Sequence, residues 1–159
     1  MSALASGLPP DGRQSPTALA VARGTARLLR AMGFATLGEV PLASGRRADL
    51  VALGGSGDVW IVEIKSSIED FRADHKWLEY RLHCDRLFFA AAAHVPLDIF
   101  PADAGLIVAD AFGGAIAREG LEHRLAPATR RSMTLRFAHA AALRLQALGD
   151  PTGPEGQGI

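Results

Sequence analysis

Three charged residues stand inside two apolar runs of strand length. The runs Arg46-Arg47-Ala48-Asp49-Leu50-Val51-Ala52-Leu53 and Val59-Trp60-Ile61-Val62-Glu63-Ile64-Lys65 flank the short segment Gly54-Gly55-Ser56-Gly57-Asp58, the pattern of a β-hairpin. Side chains alternate faces along a strand, so Glu63 and Lys65 share a face about 7 Å apart. If Leu53 pairs with Val59, counting back along both strands puts Asp49 opposite Glu63, with facing Cα atoms roughly 4.5–5.5 Å apart. Two carboxylates and an ammonium then meet on one patch of sheet. Facing like charges repel, and in an apolar setting such a pair must share a proton or bind a cation. A hard divalent ion such as Mg²⁺ suits it, because that ion takes one or two carboxylates and keeps several waters. Lys65 beside the ion is placed to stabilise negative charge developing on a phosphate. The competing assignment, an ion pair of Lys65 with Glu63 or Asp49 on an exposed strand face, stays open at this point.

The elements that must hold these residues follow from periodicity. Ser15-Pro16 is a helix start, a capping residue followed by Pro at the first helical position. The helix is expected to run to about Met32 and end at Gly33. Val21, Thr25, Leu28, Leu29 and Met32 fall on one side, and Arg23, Arg27 and Arg30 on the other. Those arginines form either a solvated face or a rail that contacts phosphates. Phe34 to Pro41 is a first strand, carrying Glu39 as the one upstream acid that could join the metal site. After Lys65, Ser67 with Asp70 three residues on marks a new helix start. A broken helix then extends to about Cys84, with a second start at Asp74 and with Phe71, Trp77, Leu78 and Tyr80 as core. Arg86 to Ala92 has the apolar character of a central strand, joined to the Glu63 strand by a parallel crossover. A second hairpin spans Gly105–Asp110 and Ala115–Arg118. A long helix from about Pro127 to Leu148 carries Arg130, Arg131, Arg136 and Arg144 and no acid.

Several of these runs resemble one family. Gly45-Arg46-Arg47-Ala48-Asp49, Glu63-Ile64-Lys65-Ser66-Ser67, Asp70-Phe71-Arg72, Lys76-Trp77 and Cys84-Asp85-Arg86-Leu87-Phe88-Phe89-Ala90 resemble the MmcB-type DNA repair family. Asp49 with Glu63-Ile64-Lys65 resembles the PD-(D/E)XK nuclease signature, although Ala48 stands where that motif often has Pro. The resemblance covers roughly Thr17 to Leu148. It implies an α/β, restriction-endonuclease-like core with a central mixed sheet flanked by helices. It further implies a metal-dependent DNA endonuclease of the damage response, with Asp49, Glu63 and the Ile64 carbonyl on Mg²⁺ (or Mn²⁺) and Lys65 as catalytic partner. A non-catalytic DNA-binding accessory of the same fold is the alternative.

Composition narrows the field. The 159 residues form one domain over 16–148, with residues 1–15 and 149–159 expected to be flexible. No apolar run approaches a membrane span and no signal-peptide pattern opens the chain, so a cytoplasmic protein is expected. Cys84 is the one cysteine; it excludes an internal disulfide and, beside His83 alone, gives no zinc set. Seventeen Lys and Arg balance seventeen Asp and Glu, yet the charges segregate. Residues 16–48 hold five arginines (Arg23, Arg27, Arg30, Arg46, Arg47) against Glu39. Residues 49–75 hold six acids against Lys65 and Arg72. A basic wall beside an acidic, cation-seeking pocket suits a polyanionic partner. DNA is therefore the expected partner, with Lys76 and Arg81 as further backbone contacts and other repair proteins as companions.

Overall fold

A computed structural model describes residues 15–151. The expected flexible ends therefore lie largely outside the described residues. The chain builds α1 (Pro16–Ala31), β1 (Phe34–Pro41), β2 (Arg47–Gly54), β3 (Val59–Lys65), α2 (Ile68–Ala73), α3 (Trp77–Tyr80), β4 (Arg86–Ala91), β5 (Gly105–Ala109), β6 (Gly114–Arg118) and α4 (Pro127–Gly149). The six strands form one sheet in sequence order. β3, β4 and β5 run parallel, and the outer pairings are antiparallel. This is the α/β architecture expected, a mixed sheet flanked by helices and compatible with a restriction-endonuclease-like core. None of the described helices is long and apolar enough to cross a membrane.

α1 starts where its sequence says it should. The Ser15 side chain accepts from the Ala18 N–H, Pro16 opens the helix, and Gly33 follows the cap with φ +92°, a conformation that favours glycine. One face of α1 buries Val21 and Leu29 against Leu50, Trp60, Val62 and Phe88. Gly24 lets the helix touch the β5–β6 turn, since a Cβ there would run into the carbonyl oxygens of Asp110 and Gly113.

The opposite sheet face divides between two groups. Val51, Val59 and Ile61 pack with Tyr80, Cys84 and α4's Met133 and Phe137. Phe89, Ala91 and Leu106 pack with Phe100 and the half-buried Phe71 and Trp77. Phe89 stacks on Phe100 at 5.0 Å between ring centroids and meets Phe71 edge-on at 5.4 Å, geometries that aromatic rings prefer. Leu78 departs from the expected core: it is 59% exposed. α3 is only four residues long, and its buried residue is Tyr80, which turns Leu78 outward.

α4 is fixed by ion pairing more than by apolar burial. Asp85 is 3% exposed. Its carboxylate accepts from the Val59 and Leu125 N–H groups, both at 2.8 Å, and from Arg130 twice at 2.7 Å. Arg130 also donates to the Gly57 carbonyl, and Arg144 donates to the carbonyls of Gly38 and Glu39. Two of the four α4 arginines are thus committed to the fold, leaving Arg131 and Arg136 exposed. Asp85 is a buried acceptor, and the Gly57, Gly38 and Glu39 carbonyls are half-buried ones, all within reach of a long cationic side chain.

Burial pushes the Asp85 carboxyl up, but Arg130 and the two N–H donors outweigh it and hold the group at about 2. A carboxylate depressed in the folded state adds stability above its unfolded pKa of about 3.9, and that stability fades as pH falls through the folded value. Asp85→Ala should therefore cost about 3 kcal/mol in urea unfolding at neutral pH, since it leaves the Val59 and Leu125 N–H groups and the half-buried Arg130 without their acceptor. The gap to wild type should narrow as pH falls from about 4 to about 2.

Candidate functional site

β2 and β3 pair in the register expected for the hairpin, from Leu53↔Val59 to Leu50↔Val62. The next residues in line are Asp49 and Glu63, and there the side chains replace main-chain bonding. The Asp49 N–H donates to Glu63 Oε1 at 3.1 Å, and the Ile64 N–H donates to Asp49 Oδ2 at 2.9 Å. The two acids thus clasp each other's strand. On the other side of β2, Gly38↔Leu50 and Val40↔Ala48 pair while the step between them, Glu39 and Asp49, drops out. Glu39 has φ +51°, a conformation that costs of order 1–3 kcal/mol unless its surroundings impose it. Arg144, held on the Gly38 and Glu39 carbonyls, is part of what imposes it. Alternation resets at this step, so Leu37 and Val40, like Ala48 and Val51, join one core cluster. Glu39 therefore sits in line with the pair, but its carboxylate turns to Arg47 at 3.5 Å.

Glu63 is 3% and Lys65 5% exposed, on the sheet face that α2, α3 and α4 cover. Lys65 Nζ lies 2.6 Å from Asp74 Oδ2 and 3.9 Å from Asp70 Oδ1. The lysine is ion-paired, as one alternative held, but to an acid past α2 and not to the strand acids. Asp70 also accepts from the Ser66 N–H at 3.0 Å, while Ser67 accepts from the Asp70 N–H at 3.1 Å, the expected cap. Tyr80 donates its hydroxyl proton to the Arg47 carbonyl at 3.1 Å, and Glu79 holds Arg46 at 3.0 Å. α3 is thereby strapped to the start of β2, directly before Asp49. Asp70, Asp74, Glu79 and Tyr80 are site neighbours that sequence motifs present only as caps or core. The density of acids around one buried lysine was their available signal.

Electrostatics follow from burial. Removal from water raises the Asp49 carboxyl above its ordinary value, against the pull of the Ile64 N–H. Burial and then the Asp49 charge push Glu63 well up. Two adjacent carboxylates that are both raised favour sharing a proton when no cation lies between them. Asp74 goes the other way: burial raises it, but Lys65 and the Lys76 N–H outweigh that and lower it. Burial raises the Tyr80 hydroxyl, with the Glu63 and Asp49 charges adding to it. The Cys84 thiol is pushed up to about 12 by burial, which makes it a poor nucleophile or metal ligand at neutral pH.

The basic residues distribute unevenly. Arg46 and Arg47 enter the site on β2, and Lys76 is exposed before α3. Arg81 turns inward onto Asp103 at 2.5 Å and over the Trp77 ring at 5.4 Å. Arg23, Arg27 and Arg30 are exposed on α1, with Arg27 donating to the Phe112 carbonyl at 3.2 Å. α1 covers the sheet face opposite Glu63 and Lys65. The α1 part of the expected basic wall is therefore across the sheet from the acids, not beside them, because α1 spends its apolar side on that face, while Arg46 and Arg47 stay near them.

The donor set fits a hard divalent cation: two adjacent carboxylates, one half-buried and one buried, with the nearest ammonium engaged elsewhere. Among the described residues no cluster of three or more His, Cys, Asp or Glu is disposed to hold a metal. Asp49 and Glu63 would therefore share the ion with water and the Ile64 carbonyl, as Mg²⁺ tolerates. Without metal, the raised Glu63 pKa has a defined sign. Its protonated form stabilises the fold below the ordinary glutamate value, and that contribution is lost as pH rises through the raised folded value. In metal-free buffer the thermal midpoint of the wild type should fall over that window. Glu63→Gln should remove the fall and match or exceed wild type above it; an unchanged pH profile in Glu63→Gln would contradict the shared proton.

Comparison with known proteins gives a structural relative and a family. A protein of unknown function from Silicibacter pomeroyi, SPO1766, has a solved structure similar to this one. Its TM-score is 0.85 and its identity 44%, and the alignment covers 91% of this chain and 99% of that one. No curated protein matches the chain. The family model described as DNA repair protein MmcB-like matches residues 7–152. With nearly its whole length matched, the chain belongs to the MmcB-like DNA repair protein family.

Proposed function

We propose that this protein is a metal-dependent DNA endonuclease of the PD-(D/E)XK type that cleaves damaged or branched DNA in the cytoplasm. One observation carries the proposal: half-buried Asp49 and buried Glu63 stand side by side, each carboxylate bonded to the other's strand, with Lys65 two residues on. Such a pair is costly unless a cation completes it. The family description favours DNA over other phosphodiesters. Bound there, Mg²⁺ (or Mn²⁺ in its place) would screen the carboxylates and polarise a scissile phosphate. Asp49 and Glu63 hold that position through paired main-chain bonds, so neither side chain needs to reorganise. The Ile64 carbonyl, one residue on from Glu63, would complete the set. Lys65 offers positive charge to the phosphate once Asp74 gives it up. Arg46 and Arg47 lie at the approach and suit flanking phosphates.

The tie of Lys65 to Asp74, and the burial of both Glu63 and Lys65, favour one second reading. In that reading the protein binds DNA as a repair accessory and does not cut. A panel of single-stranded, duplex, abasic, flapped and cross-linked DNA with Mg²⁺ or Mn²⁺ separates the two. The nuclease reading requires divalent-dependent cleavage of at least one substrate, and binding without cleavage across the panel leaves the accessory.

On a cleaved substrate, Asp49→Asn or Glu63→Gln should lower turnover by about 10²–10³-fold while circular dichroism stays unchanged. Lys65→Ala should lower the single-turnover rate on bound DNA more than affinity. Equal turnover in either carboxylate variant would remove the assigned role.

Replacing Arg23, Arg27 and Arg30 together by Gln tests whether DNA wraps to the far face. If all three contact phosphates, the slope of log K against log salt should drop by about three units. An unchanged slope makes them a solvated face and confines DNA to the Arg46 and Arg47 side.

A further inference from the structure

α4 is 23 residues long, yet its buried residues are Met133 and Phe137 alone. Arg130 and Arg144 pin that same side to buried acceptors near either end. The outer side is not the charged surface a solvated helix normally shows. Arg131, Leu135, Ala138, Ala142 and Leu145 follow one another at alternating steps of four and three residues, the spacing of a coiled-coil seam. All five are exposed, Leu135 at 58% and Leu145 at 71%. Leu148, at 66%, flanks the far end.

The two ends of this seam differ in shape. Near the start of α4 lies a groove of about 710 Å³, with Leu125, Pro127 and Leu135 as its apolar walls and Arg124, Arg130 and Arg131 along its edge. Near its end stand Leu145 and Leu148, apolar side chains with little against them. One end is a socket and the other a pair of knobs. The electrostatics are as lopsided: the first turn carries no acid and the last turn no base, so neither end of the helix dipole is compensated by its own side chains.

We propose that the outer face of α4 is covered by α4 of a second copy of this chain, antiparallel and related by a two-fold axis. Ala138 then lies opposite Ala142 of the second copy, where small side chains let the backbones approach. Leu145 and Leu148 of each copy reach the groove of the other, meeting Leu135. Arg131 of each copy comes beside the last turn of the other, where the dipole favours a cation. A two-fold operation makes every one of these contacts twice. A parallel pairing would set Arg131 against Arg131 and knob against knob, so the charges select the antiparallel form. The pairing depends on α4 alone and stands or falls independently of any cleavage activity.

The full-length protein should sediment at twice its chain mass and dissociate on dilution. Ala142→Arg, an exposed position in the centre of the seam, should weaken the dimer on the order of a hundredfold by forcing a long, charged side chain against Ala138 of the second copy, where the backbones approach. Its circular dichroism and unfolding cooperativity should stay as in wild type. Orientation is read by oxidation: an A138C protein mixed with an A142C protein should cross-link faster than either alone, the native Cys84 being buried. A single-chain mass throughout the concentration range overturns the proposal. So does a dimer that Ala142→Arg leaves intact, or cross-linking no faster in the mixture.

Discussion

Two carboxylates occupy a place in the sheet where main-chain groups would otherwise bond to one another, and the local architecture adjusts to that substitution. Asp49 accepts from the Ile64 N–H and Glu63 from the Asp49 N–H. Each acid thus satisfies a donor that the interrupted ladder leaves over, and each gains a hydrogen bond favouring its charged form. That is not enough to offset burial, and both groups are pushed upward. β1 answers the same constraint with a left-handed residue at Glu39, whose neighbouring carbonyls turn out to meet Arg144. The irregularity spans three strands and is held by a helix that starts on the far side of the sheet order.

Charge around the pair is arranged in shells. Lys65, two residues from Glu63, goes to Asp74, and Asp70 stands at a longer distance. α2 and α3 bring these acids in while their aromatic residues close over Phe89 and Phe100. The short helices therefore serve two ends at once: they seal an aromatic core, and they bring acids to the lysine. The straps from Glu79 and Tyr80 to Arg46 and Arg47 make the covering segment continuous with the entry to β2.

The hairpin register was legible because a short turn between two apolar runs leaves few pairings, and alternation then assigns faces without ambiguity. The N-cap of α1 and the Ser67 cap were legible for the same reason, being local. What stayed hidden depends on contacts far apart in sequence. Nothing local distinguishes Arg130, which meets Asp85, from Arg131, which meets solvent. The Lys65–Asp74 pair needs the path of α2, and Arg81's turn toward Asp103 needs the position of a loop more than twenty residues on. The side of the sheet chosen by α1 is a matter of topology, which is why its arginines were expected near the acids and are found across from them. The candidate metal pair itself was legible; which ion, substrate or product it serves depends on chemistry outside the chain.

The clasp between β2 and β3 has a spectroscopic consequence. The amide protons of Asp49 and Ile64 point at carboxylate oxygens, so their nuclear magnetic resonance frequencies are set by the charge on those oxygens as well as by backbone geometry. Two main-chain resonances thereby become built-in electrometers for the two carboxylates. Titrating acid, or any cation that lodges between the carboxylates, would move both peaks together, without a label attached to the site and without a substrate in the tube.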